Sequence, residues 1–76
     1  MAELEKAFGK VLRKLRREKS LSQEALGFEA DLARNYISQL ELGSKSPSLR
    51  TLFCLCAVLE VAPSDMLKEV ERGLGS

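Results

Sequence analysis

Histidine is absent from this 76-residue chain, and with it the side chain that most often serves as general base or transition-metal ligand. No glycine-rich phosphate loop occurs, and no carboxylate pair falls where one pocket would hold both. These gaps together argue against an enzyme, and no cofactor or metal is expected. No apolar run approaches the roughly 18 residues of a membrane span. The opening Met1-Ala2-Glu3-Leu4-Glu5 is not a secretory signal, so a cytoplasmic protein without membrane contact is expected. Strand signals, internal repeats and low-complexity segments are also missing. Cysteine is scarce: Cys54 and Cys56, two apart on a helix, diverge by about 200° and cannot easily bridge. Cys56 should be a buried small hydrophobe and Cys54 more exposed.

What the chain does have suffices for one small core. Apolar residues make up 45%, and the length fits a single domain over residues 1–76, near the lower limit for independent stability. Its core should span about 4–72, with Gly73-Leu74-Gly75-Ser76 as a frayed tail. The net charge of +1 hides an uneven distribution. Up to Lys19 there are seven cations against three glutamates, whereas from Arg50 onward there are three cations against four acids. A phosphate-facing end in the first half is plausible on charge alone.

Five helices are expected. The first, about Glu3 to Glu18, carries the stripe Leu4, Phe8, Val11, Leu12 and Leu15, with Gly9 allowing a neighbouring backbone to approach closely. The second follows Ser22, a good N-cap, with Leu21 and Leu26 as a hydrophobic staple; Phe28 points outward. The third covers about Arg34 to Leu42 and stops at Gly43. After the loop Gly43-Ser44-Lys45-Ser46-Pro47, Ser48 caps the fourth, about Leu49 to Glu60, whose core face is Leu49, Leu52, Leu55, Cys56 and Leu59. Pro63 opens the fifth, about Pro63 to Arg72, which presents Met66, Leu67 and Val70.

The middle of the chain organises the rest. Leu26, Gly27 and Ala30 lie on one side of the second helix, and Ile37 and Leu40 face inward from the third. Asp31 stands where the chain must reverse. Arg34, Asn35, Ser38 and Gln39 then turn outward, all able to hydrogen-bond base edges. That is the layout of a helix-turn-helix.

The stretch resembles the helix-turn-helix of the lambda-repressor/Cro-like (XRE-type) transcriptional regulators. Gln23 opens the motif, Gly27 is its small fifth residue, and Leu32, Ile37 and Leu40 are the apolar tenth, fifteenth and eighteenth. Leu21-Ser22-Gln23-Glu24, Glu41-Leu42-Gly43 and Pro47-Ser48-Leu49 extend the match, which covers roughly Phe8 to Leu67. Asp31 and Ser20 depart from the family's usual glycines, and Ala33 from its capping serine or threonine.

The resemblance implies an all-α, lambda-repressor-like domain of five helices that binds double-stranded DNA. Base contacts fall to Arg34, Asn35, Ser38 and Gln39. Phosphate contacts fall to Gln23, Tyr36, Ser44, Lys45, Ser46 and Ser48. An arginine at position 16 implies an ion pair with Glu41, as in the related phage repressors. A domain this small should act as a homodimer on a palindromic operator, its seam built from Cys54, Ala57, Val58, Met66 and Val70, which exceed the needs of one core. With no second domain to take a ligand, control would come through the protein's own concentration, on its own promoter. Stand-alone members of this size include controller proteins of restriction–modification systems, Cro-like phage regulators and antitoxins. The competing expectation is a protein-binding module on the same scaffold, antagonising another regulator or neutralising a toxin.

Overall fold

The computed structural model describes residues 2–75. Five helices follow one another: α1 (Ala2–Glu18), α2 (Gln23–Ala30), α3 (Arg34–Leu42), α4 (Leu49–Leu59) and α5 (Pro63–Gly75). No strand occurs among the described residues. The helix α1 packs across α3 and α5, while α2 lies against α3 and α4. Leu12, Leu26, Ile37, Leu40, Leu55 and Met66 are completely withdrawn from solvent where these helices meet.

Local chemistry sets the boundaries. The Ser22 hydroxyl accepts from the Ala25 N–H at 3.0 Å and starts α2; Ser48 accepts from the Thr51 N–H at 3.1 Å and starts α4. Each cap satisfies a first-turn donor that the helix itself cannot. Gly43 closes α3 in the left-handed region. So do Asp31 for α2 and Glu60 for α4, and Ser20 in the turn after α1 takes the same conformation (φ 57–59°). The helix expected to run through Glu60 therefore stops one residue short, because Glu60 supplies the reversal.

Two glycines let helices touch backbone to backbone. A Cβ at Gly9 would collide with the carbonyl oxygens of Leu40 and Glu41, so α1 crosses the last turn of α3 only because that atom is missing. A Cβ at Gly27 would lie 2.5 Å from the Leu32 carbonyl oxygen, in the tight turn between α2 and α3.

Three expectations need correction. The segment 73–75 is not a frayed tail: α5 continues through Gly75, with Gly73 lying against Ala7 of α1. Ser76 lies outside the described residues. Leu49 is not core but 73% exposed, at the entrance of α4. Most consequential, Met66 and Val70 belong to the chain's own core rather than to a seam with a second copy. Both are buried within the single chain, because α5 folds back against α4 and α1. Cys56 Sγ lies 3.5 Å from Met66 Sδ inside that packing.

Candidate nucleic-acid interface

The helix α3 is divided lengthwise. Ile37 and Leu40 are fully buried, which fixes the rotation of the helix. The opposite side carries Arg34, Asn35 and Gln39 exposed and Ser38 half-buried. These four positions follow i, i+1, i+4, i+5, so they form one continuous strip about a turn and a half long. Arginine suits guanine O6 and N7; asparagine and glutamine suit adenine N6 and N7. Leu42, 72% exposed, lies at the far end of the same strip. Its position was not singled out by sequence, although a seven-residue step from Asn35 would have placed it there.

Tyr36 sits differently. It is half-buried and packs against the core, so its ring has a structural part that the four strip residues lack. The Ala33 position makes no side-chain cap at the start of α3; its carbonyl oxygen instead accepts from the Tyr36 N–H at 3.0 Å and the Ile37 N–H at 3.1 Å.

After α3 the chain turns through the polar loop. The Ser44 hydroxyl donates to the Gln39 carbonyl oxygen at 3.2 Å, and the Ser44 N–H reaches the same oxygen at 3.0 Å. The Ser48 hydroxyl is engaged in capping α4 and with Thr51 Oγ1 at 3.0 Å. Lys45 and Ser46 are exposed between them. Two of the four expected loop contacts thus carry hydroxyls already committed to holding the loop's shape.

On the other flank lies a small polar cluster. Arg16 Nε donates to Glu41 Oε2 at 2.5 Å and Arg16 Nη2 to Glu41 Oε1 at 3.0 Å, a two-point pairing between nearly buried side chains. The remaining Nη1 donates to the Leu21 carbonyl oxygen at 2.8 Å. This contact with Glu41 pushes the arginine's affinity for its proton still higher, and burial opposes it only in part. Glu41 Oε1 also accepts from Gln23 Nε2 at 3.1 Å. That last bond joins residues 18 apart in sequence, and no sequence spacing announces it.

The fourth helix offers a contrasting surface. Leu49, Phe53, Cys54 and Ala57 are exposed along one side of α4, with Val58 half-buried beside them. Of the residues expected at a seam, Cys54, Ala57 and Val58 therefore share an accessible face. Leu49 and Phe53 join them there.

Comparison with known proteins bears on this arrangement directly. A profile of the helix-turn-helix family matches residues 12–66. The chain belongs to that family, in its XRE-type form. Among its relatives, control protein C.BamHI of Bacillus amyloliquefaciens is 44% identical over 61 residues, 79% of this chain and 75% of that protein. Control protein C.MunI of a Mycoplasma species is 37% identical over 73 residues, 95% of this chain and 99% of that one. The crystal structure of the restriction–modification controller protein C.AhdI from Aeromonas hydrophila superposes with a TM-score of 0.81 at 38% identity, over 87% of this chain and 98% of that one. XRE-type helix-turn-helix proteins are DNA-binding transcriptional regulators, not enzymes. Among the described residues no helix is long and apolar enough to cross a membrane, and no cluster of side chains could hold a metal ion.

Proposed function

We propose that this chain is a controller-type regulator that binds a palindromic operator as a homodimer and governs its own promoter. The observation that carries the DNA half of this reading is the strip of Arg34, Asn35, Ser38 and Gln39, held outward by the fully buried Ile37 and Leu40. A helix fixed in rotation by its core can present the same donors and acceptors to every base pair it meets. Gln23 on one flank and Lys45 with Ser46 on the other would grip the phosphates on either side of the groove. The likeness to C.BamHI, C.MunI and C.AhdI supports assigning it to restriction–modification control.

The dimer half rests on α4. One domain reads only a half-site, and two copies related by a two-fold axis match a palindrome. The exposed apolar side of α4, Leu49 to Ala57, is the surface that a second copy would cover.

Titration separates reading from gripping. Wild type, Arg34→Ala and Lys45→Ala are measured on the DNA upstream of the protein's own gene, on single-base variants and on random duplex, at several salt concentrations. Arg34→Ala should lose about 1–3 kcal/mol on the operator and relax preference at one base pair per half-site. Lys45→Ala should weaken all sequences alike and lower the salt slope by about one per subunit. Equal loss on every sequence would make Arg34 a phosphate contact. If neither change matters on any DNA, the scaffold acts on a protein partner instead.

A further inference from the structure

A phosphate oxygen accepts hydrogen bonds and donates none, so a glutamine that grips it must offer its N–H side. Left alone on a surface, a side-chain amide has two nearly equivalent orientations, one with the carbonyl outward and one with the amine outward. Half of that population is wrong for a phosphate. The residue at the head of α2 is not left alone: Gln23 Nε2 lies 3.1 Å from Glu41 Oε1, and Gln23 is half-buried. A carboxylate can only accept, so the flipped amide would place oxygen against oxygen. One orientation survives. It commits one Nε2 hydrogen to Glu41 and leaves the second for another acceptor.

Glu41 has no freedom to release this hold. Arg16 fixes both of its oxygens, and Arg16 is itself anchored to the Leu21 carbonyl oxygen just before α2. The arginine also balances the carboxylate's charge, which allows an acid to stand one hydrogen bond away from a phosphate site. Because Glu41 belongs to α3 and Gln23 to α2, the same carboxylate joins the reading helix to the gripping residue.

We propose that Glu41 is a positioning residue for DNA binding, which sets the Gln23 amide so that its second Nε2 hydrogen faces a phosphate oxygen. This rests on the reading above, in which Gln23 meets the DNA backbone. Glu41 touches no DNA itself, and its effect on affinity passes through Gln23.

The test uses the whole chain and a duplex from upstream of its own gene. In the free protein, nuclear magnetic resonance of the Gln23 side chain should show its two Nε2 protons separated, one displaced by the Glu41 bond. Adding duplex should move the other. Affinities are then compared for Gln23→Ala, Glu41→Gln and the two combined. Each single change should weaken operator binding about tenfold, the scale of a hydrogen bond to a charged group, and the pair no more than Gln23→Ala alone. A merely structural role for Glu41 would instead weaken binding by the same factor whether or not Gln23 is present, and that result overturns the proposal. If Glu41→Gln does not fold, the resonance measurement on the unaltered chain decides. Backbone amides of α3 responding to duplex while the Gln23 side chain stays still would defeat the positioning role and leave DNA binding standing. No response anywhere would defeat both.

Discussion

Helices α3 and α4 are built alike and finished differently. Each is short, each buries one side completely, and each leaves the other side open to solvent. The open side of α3 carries arginine, asparagine and glutamine; that of α4 carries leucine, phenylalanine, cysteine and alanine, with Arg50 as the helix's one charge. Buried sides fix where a helix sits, and open sides decide what it can meet. A polar strip with fixed donors suits the edges of base pairs, while an apolar strip gains from being covered by another apolar surface. In the proposed function the two strips divide the work: one for sequence, the other for assembly.

The sharpest way to break that division is to put a charge on each kind of surface. Met66→Asp places a carboxylate in the core between α5 and α4, where nothing can pair with it. The loss should be at least about 4 kcal/mol, enough to unfold a domain of this size. Ala57→Asp puts the same carboxylate on the open side of α4. It should keep the helical content and melting temperature of an isolated domain while abolishing self-association. Circular dichroism melts and sedimentation together give the answer. A folded Ala57→Asp protein that still sediments as a dimer would move the seam away from α4.

The polar strip is more legible in the amino-acid sequence than the apolar one, and the reason is geometric. A helical period of 3.6 tells which residues share a side, so Arg34, Asn35, Ser38 and Gln39 group without any knowledge of neighbours. It does not tell which neighbour covers a side. Met66 and Val70 lie one turn apart and look surplus until α5 is aimed. That aim comes from the left-handed turn at Glu60, which no local pattern specifies, ahead of the restart that Pro63 does announce. The Gln23–Glu41 bond escaped for the same cause: it exists only once α2 and α3 are docked. The Arg16–Glu41 pair was different, because the resemblance to the phage repressors implied it before any docking was known.

A second, smaller break falls on the ion pair beneath the reading helix. Arg16→Met fills similar space but leaves Glu41 nearly buried, with Gln23 its remaining side-chain donor among the described residues. Removing one partner of a buried pair costs more than the pair contributes, because the abandoned charge stays desolvated. The expected loss is roughly 3 kcal/mol, read from denaturant or thermal unfolding. It should exceed the loss from removing the exposed Lys14–Glu69 bridge, which joins α1 to α5 and lies in the range where surface pairs contribute little. An unchanged melting temperature would show that Glu41 finds water in solution.

The smallest effect compares two of the helices that end without glycine. Asp31 closes α2 and Glu60 closes α4, both left-handed (φ 59° and 57°). For a residue with a Cβ that conformation is disfavoured by about 1–2 kcal/mol, less for aspartate, and glycine recovers most of it while giving back some chain entropy. Asp31 also sets a negative charge at the negative end of the α2 dipole. Asp31→Gly should therefore stabilise the domain by about 1 kcal/mol, and Asp31→Asn, which removes only the charge, by less. Glu60→Gly should gain less than Asp31→Gly, since Glu60 pairs with Lys19 across the molecule. The hydrogen bond from Lys19, and its charge, hold the Glu60 carboxyl below its ordinary 4.5. A carboxyl lowered in the folded state contributes stability above its unfolded value, and that contribution disappears as pH falls through the folded one. The gap between the two glycine variants should accordingly narrow in acid below that range, and in high salt, which screens an exposed pair. Paired melts at neutral and acid pH measure it; a gap indifferent to both would mean that Lys19 does not hold Glu60 in solution.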